Sequence, residues 1–451
     1  MHSKVSSTPA AMSAAELERS GTYRTIAIRL IPFLFLCYVV NFLDRTNIGF
    51  AQLSLKDELG FSNAVYGFGA SLFYVGYILF EVPSNMLLQR IGAPKTIMRI
   101  MVLWGVMSVA MAAVSSPLQF YVLRFLLGVG EAGFMPGILF YLSGWVPASQ
   151  RARFTALFMI AIPVSGVIGG PISGGIMHFL DGASGLKGWQ WLFILEGSPA
   201  ILLGIIAAFV LSTGPAQAKW LSAEQREGLA VAIRQERAAS AEAHASTLLQ
   251  VLRQPMLYVL AFYCVGMNGS IGGFSFWLPT IVKGFGVTNA FHIGLLVAIP
   301  YLAGAVALVL NGRHSDKTGE RRWHAAGSML AASLGWLLLP LAIHQPVVSM
   351  ALITLATAGT IACLACFWSM VPLYFPAGAA IAFAAVSSLG SLGSLASPAL
   401  VGWIATVTGS VVNGTLYLGS VMVVAATCLI VSTRRRANVT VSSDAVAEMK
   451  P

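Results

Sequence analysis

The chain has 451 residues, 57% hydrophobic and only 10% charged, with a mean hydropathy of +0.78; soluble domains carry about a quarter charged residues, so a water-soluble globular fold is excluded and lipid is the expected solvent. The formal charge of +10 does not point to nucleic acid, because the basic residues sit in short loops between apolar runs rather than on one face. Cys37, Cys264, Cys363, Cys366 and Cys428 all lie inside apolar runs, which gives neither a disulfide framework nor metal-site spacing, and no metal or cofactor is expected.

Residues 1–25 are polar, with no short apolar core or cleavage site. They read as a cytoplasmic N-terminal segment, and the first apolar run as a retained span. About 20 apolar residues cross a bilayer as a helix, and open backbone is not tolerated there. Twelve such runs are predicted, at 27–50, 64–88, 94–114, 118–140, 154–178 and 190–212, then at 254–279, 291–311, 324–343, 347–370, 379–404 and 413–432. The first six form a bundle over 26–213 and the last six a bundle over 253–433. Between them, 214–252 is the one long polar segment, a cytoplasmic linker with a short surface helix opening near Lys219-Trp220-Leu221-Ser222-Ala223-Glu224. The tail 434–451 is basic, then Ser- and Ala-rich, a composition suited to an unstructured cytoplasmic segment. The expected fold class is an all-α integral membrane protein, with twelve transmembrane helices in two six-helix bundles.

Lysine and arginine set the orientation. With the N-terminus in the cytoplasm, 22 of the 27 basic residues fall on that side; Lys56, Lys187 and Lys283 fall outside, and Arg45 and Arg124 lie within spans. Both termini are therefore placed in the cytoplasm. The densest charged stretch is Gly312-Arg313-His314-Ser315-Asp316-Lys317-Thr318-Gly319-Glu320-Arg321-Arg322, with a weaker copy at Asn85-Met86-Leu87-Leu88-Gln89-Arg90-Ile91-Gly92-Ala93-Pro94-Lys95. Arg90 to Lys317 and Gly92 to Gly319 share one offset of 227 residues, which points to duplication of a multi-helix unit. Gly312 and Gly319 are expected to allow close helix approach and a sharp turn. Asp316 would hold a helix N-terminus or a basic residue of a neighbouring span, and Arg321 and Arg322 would anchor at headgroups. The whole reads as a cytoplasmic latch.

Charges inside spans are costly and by default do work. Asp44 and Arg45 lie in the first span; Arg124 and Glu131, seven residues apart on one helix face, lie in the fourth. Burial disfavours a charged carboxylate, while an adjacent guanidinium favours it. An anion that engages Arg45 or Arg124 would thus promote protonation of Asp44 or Glu131, and the coupling is reciprocal. The plainer alternative is two salt bridges that merely join helices. Glu81 and Glu196 read as structural or gating groups at inner helix ends. Tyr77 is placed to bond substrate, and the second half offers neutral candidates: Asn268, Trp277, Trp368, Ser387, Ser388 and Ser391. Gly128, Gly130, Gly133 and Gly137 on one span, and Gly166, Gly169, Gly170, Gly174 and Gly175 on another, form small faces for helix packing.

The stretch 312–322 matches the loop signature of the major facilitator superfamily; in the first copy Asn85 and Gln89 depart from it. Phe42-Leu43-Asp44-Arg45-Thr46-Asn47, Glu81-Val82-Pro83-Ser84-Asn85, Arg124-Phe125-Leu126-Leu127-Gly128 with Glu131-Ala132-Gly133-Phe134, Gly188-Trp189-Gln190-Trp191 and Phe276-Trp277-Leu278-Pro279 resemble its anion:cation symporter family. The resemblance implies proton-coupled uptake of a small organic carboxylate across a bacterial inner membrane by a monomer. The substrate would be tartrate-like or an aromatic acid such as 4-hydroxyphenylacetate. It also implies that Asp44 and Glu131 carry the proton and Arg45 and Arg124 the carboxylate. Where many relatives have an Asn-bearing pattern in the eleventh span, this chain has Ser387, Ser388 and Ser391, which reach less far. The run Gly166-x-x-x-Gly170-Pro171-x-x-Gly174-Gly175 resembles a motif of antiporters, so an exchanger or efflux carrier is the alternative. A membrane sensor is a more distant one, and an enzyme is not expected, since no nucleophile–base set lies in the spans.

Overall fold

The computed structural model describes residues 12–242, 248–376 and 378–437. Among these the regular structure is entirely helical. Twelve spans are long and apolar enough to cross a membrane: Thr22–Leu59, Asn63–Leu88, Ala93–Ala113, Pro117–Ser143, Ala148–Phe179 and Gly188–Val210 (spans 1 to 6), then Pro255–Lys283, Ala290–Thr318, Arg322–Ala342, Pro346–Tyr374, Ile381–Thr408 and Val411–Thr433 (spans 7 to 12). Each predicted run coincides with one of them. The largest differences are at polar ends, where span 1 runs on to Leu59 and span 8 to Thr318. Hydropathy marks the part of a helix that needs lipid, whereas hydrogen bonding continues to the next cap. Such caps are present: Ser116 Oγ accepts from the Gln119 amide at 3.4 Å ahead of span 4, and Asn289 Oδ1 accepts from the Phe291 and His292 amides at 2.9 and 3.2 Å ahead of span 8.

Contacts divide the chain into two compact units, and the division runs through three spans. The first unit comprises Met1–Asn47, Val75–Gly166 and Phe179–Ala245. Within it, spans 3 and 6 pack backbone to backbone: a Cβ on Gly105 would lie 2.9 Å from Gly197 O and 2.7 Å from Ile201 Cγ1. The linker is more ordered than predicted. Its helix Ala223–Glu242 is 20 residues long and is docked rather than free. Trp220 stacks on Trp145 with ring centroids 5.5 Å apart. Glu236 pairs with Arg151 at 2.7 Å and accepts from the Ala148 amide at 2.8 Å, capping span 5. A short helix, Ala14–Arg19, opens with a Ser13/Glu16 capping box and buries Leu17 completely.

The second unit comprises Ile48–Tyr74, Val167–His178 and Ser246–Pro451. It therefore holds spans 7 to 12 together with the ends of spans 1, 2 and 5. The Tyr66 hydroxyl donates to Phe276 O at 2.9 Å, and the Ala399 amide donates to Ser71 Oγ at 3.1 Å. Gly170 and Gly174 lie directly on the backbone of Gly294 and Ala290, so that part of the glycine-rich motif is a packing surface. Several buried polar groups are paired here, as lipid favours: Trp336 Nε1 donates to Ser270 Oγ at 2.9 Å, and the Tyr263 hydroxyl to Ala325 O at 2.8 Å. The basic triplet at 434–436, expected to open an unstructured tail, is the end of the helix Gly414–Ala437. The remainder of the tail, residues 1–11, 243–247 and 377 lie outside the described residues.

Candidate functional site

Asp44 and Arg45 are consecutive on span 1, so they point about 100° apart and reach different neighbours. Asp44 is 1% exposed. It accepts from Asn47 Nδ2 at 3.0 Å, one turn on, and from Ser108 Oγ of span 3. Arg45 reaches across to span 4, where its Nε and Nη2 both engage Glu131 Oε1. Its guanidinium also lies 5.1 Å over the ring centroid of Tyr77 on span 2. The two partners differ in access: the Arg45 side chain is 26% exposed and that of Glu131 only 1%. Each acid keeps one buried oxygen, Asp44 Oδ2 and Glu131 Oε2, with no hydrogen-bond partner in the protein.

Span 4 is broken at this point. The helix Pro117–Glu131 ends on the acid itself, Ala132 leaves the helical region, Gly133 is left-handed (φ 85°), and a second helix, Phe134–Ser143, resumes. A helix C-terminus carries partial negative charge. A carboxylate there adds like charge, so the position calls for a cation, and Arg45 supplies it. The break is fixed by packing: a Cβ on Gly133 would lie 2.7 Å from Ser84 Oγ and 2.9 Å from Ser84 Cβ. Arg124, 1% exposed, lies two turns earlier on the same helix face, and both it and Glu131 act electrostatically on Asp44. Asp44, Arg45, Tyr77, Arg124 and Glu131 all belong to the first unit. Glu81 joins them: one turn after Tyr77, it lies in the field of Arg45 rather than serving only a helix end.

The neutral candidates belong to the second unit. Asn268 Nδ2 meets Cys264 Sγ at 3.5 Å and would touch a Cβ on Gly390 at 3.2 Å, which places span 7 beside the turn of span 11 that carries Ser391. The Ser391 hydroxyl is turned back onto Ser387 O at 3.0 Å. Trp368 stacks on Phe383 with centroids 5.5 Å apart. Trp277 is 1% exposed and donates to Pro398 O at 3.4 Å; it is a packing residue. Ser108 and the break after Glu131 escaped the sequence reading. A single Ser in an apolar helix carries no signal, whereas Asn47 stands one turn from Asp44 in plain view.

The charged stretch at 312–322 is mostly helix, not turn. Span 8 continues through Gly312, Asp316 and Lys317 to Thr318, and Gly319 (φ 68°) terminates it. A Cβ on Gly312 would meet nothing nearer than Ala365 at 3.9 Å, so no tight approach occurs there. Asp316 pairs with Arg321 at 2.6 Å. The helix N-terminus is held by Glu320 instead, which accepts from the Trp323 and His324 amides at 2.6 and 3.2 Å. In the first copy, Arg90 is exposed and Gly92 (φ 82°) is the N-cap of span 3; a glycine at positive φ is common to both copies.

The chain matches the Major Facilitator Superfamily over residues 34–398. It is 43% identical over 412 residues to a protein of Agrobacterium vitis named "Putative tartrate transporter", covering 91% of this chain and 94% of that one. It is 36% identical to a quinolone resistance transporter of Acinetobacter baumannii, covering 88% and 92%. Among solved structures, the inward-open xylose transporter of E. coli superposes with a TM-score of 0.70 at 16% identity, over 90% of this chain and 95% of that one. With twelve spans, a match to the family over most of its length and transporters on every side of the comparison, this chain is a multi-pass membrane transporter, not an enzyme, and belongs to the Major Facilitator Superfamily.

Proposed function

We propose that the protein is a proton-coupled symporter that takes up a small organic carboxylate by alternating access. The observation that carries this reading is the Arg45–Glu131 pair beside Asp44. Arg45 is the open member and Glu131 the sealed one. A substrate carboxylate that engages Arg45 competes with Glu131 for the guanidinium, and Glu131 already holds one buried oxygen without a partner. A proton on that oxygen removes the charge that Arg45 no longer balances. Loading of substrate and proton then assist each other. We assign Asp44 and Glu131 to the proton, Arg45 and Arg124 to the carboxylate, and Tyr77, Asn268, Trp368 and Ser391 to the rest of the substrate. Arg90, Gly92, Gly312, Asp316, Lys317, Gly319 and Arg321 are assigned to the gate on the face bearing the chain ends. We assign the protein to the inner membrane as a monomer, in two six-helix halves with both termini cytoplasmic, in line with its lysine and arginine distribution.

The relative named for tartrate supports an acid of that kind, and the one named for quinolone resistance supports efflux as a second reading. The glycine motif adds nothing to efflux, since Gly170 and Gly174 are occupied in packing. Uptake of labelled tartrate and 4-hydroxyphenylacetate into proteoliposomes separates the two. Symport predicts accumulation of one acid when the outside is acidified, lost in Arg45→Ala and Arg124→Ala. Export of a quinolone against its gradient, with no acid accumulated, would overturn the proposal.

A further inference from the structure

The second unit contains a cavity of about 480 Å³ that includes none of the charged residues of the candidate site. Gln52 and Lys56 of span 1, Thr280 and Lys283 of span 7, and Asn63 and Ser410 line it. All lie at the ends of odd-numbered spans, just after them, or at the start of the next, so the cavity lies on the membrane face opposite the N-terminus. That face is poor in basic residues, yet two of its three predicted lysines meet here. Lys283 Nζ donates to Leu53 O at 2.9 Å and lies 3.6 Å from Asp57, which leaves ammonium protons for a further acceptor. With Lys56, Lys283 and Asp57 in the lining, the cavity carries one net positive charge. Two polar groups in it are unsatisfied. Gln52 is 2% exposed, and its Oε1 has no hydrogen-bond partner; the buried Thr280 hydroxyl has none either. Buried polar atoms are rarely left so without reason.

We propose that this cavity is a second binding site, for a small hydroxycarboxylate. The ammonium groups of Lys56 and Lys283 take the carboxylate. The Gln52 carbonyl accepts from a ligand hydroxyl, and the Thr280 hydroxyl donates or accepts as the ligand requires. The lining comes from the ends of spans 1, 2 and 7 and the connection between spans 11 and 12, so a seated ligand ties these ends together. A ligand favours the arrangement that binds it. Resting on the alternating-access reading, the site therefore brakes opening on this face, and uptake falls when the external acid is abundant.

Equilibrium binding to the purified full chain tests the site without transport. The probes are labelled tartrate, malate, glycerate and lactate. Arg45→Ala protein, its more accessible central arginine removed, retains saturable binding of at least one of them. Gln52→Leu and Lys56→Gln, added singly to it, each weaken that binding tenfold or more. Lys283 also bonds the backbone of span 1, so its variant is not needed. In proteoliposomes, Lys56→Gln alone leaves uptake at low concentration unchanged and relieves inhibition at high concentration. The proposal is overturned if Arg45→Ala protein binds none of the four acids, or if Gln52→Leu and Lys56→Gln leave its binding unaltered. Failure of the symport reading is separate, since that shows as uptake indifferent to a pH gradient.

Discussion

At the residue scale, Asp44 and Glu131 each depend on one partner from another span. Ser108 donates to Asp44, and its loss leaves a buried carboxylate short of a bond, a penalty of about 1–3 kcal/mol. Ser108→Ala is expected to lower the thermal unfolding midpoint in detergent, with Ser108→Thr recovering part of it; an unchanged midpoint in Ser108→Ala would show that the bond is dispensable. Arg45→Ala strands Glu131, which is 1% exposed, and breaking a buried pair costs about 3–5 kcal/mol. The double variant Arg45→Ala/Glu131→Gln should regain most of that stability without regaining uptake, as a double-mutant cycle of unfolding would show. The four charged residues were legible in the sequence because an ionised group in an apolar run is conspicuous. Ser108 was not, since hydroxyls on apolar helices ordinarily bond their own backbone, as Thr360 does to Ala356 O at 2.8 Å.

At the element scale, the consequential feature is the break in span 4. Runs of glycine at 128–137 read as a uniform packing face, and the sequence does not separate a packing glycine from one at positive φ. Only Gly133 is left-handed among the glycines of that run. Gly133→Ala is expected to cost about 1–2 kcal/mol from backbone conformation alone, and more from the collision with Ser84. Gly137→Ala, where a Cβ would meet only the Leu88 side-chain end at 2.9 Å, should be milder. Comparison of their unfolding midpoints checks the order. At the 312–322 stretch, partial burial pushes the Glu320 carboxyl up, but the Trp323 amide, the His324 side chain and the His324 amide outweigh it and hold it below the ordinary value of 4.5. A lowered value means that the cap's contribution is complete above pH 4.5 and fades as pH falls through the folded value. Amide exchange at Trp323 and His324 should quicken in that acid range, and Glu320→Gln should quicken it at neutral pH; protection that ignores both would remove Glu320 from the cap.

At the scale of the whole molecule, composition alone sufficed for the all-helical membrane fold, because twelve apolar runs admit no other backbone. Which individual side chains touch was not legible, for hydropathy carries no information about contact partners. The docking of the linker was hidden for a related reason. The helix Ala223–Glu242 is polar overall, and its attachment rests on a few groups: buried Leu229 and Ile233, Trp220 just before it on Trp145, and Glu236 on Arg151. Trp220→Ala with Glu236→Gln should raise proteolytic cleavage within 223–242 in the otherwise folded protein, while wild-type chain resists it.

Proton coupling at Glu131 is the centre of the account. The most direct measurement is uptake of the transported acid into proteoliposomes containing wild-type or Glu131→Gln protein, with and without an inwardly directed proton gradient. Wild-type protein should accumulate the acid only when the gradient is imposed, and Glu131→Gln should accumulate none under either condition. Accumulation by Glu131→Gln, or by wild-type protein at equal pH on both sides, would contradict it.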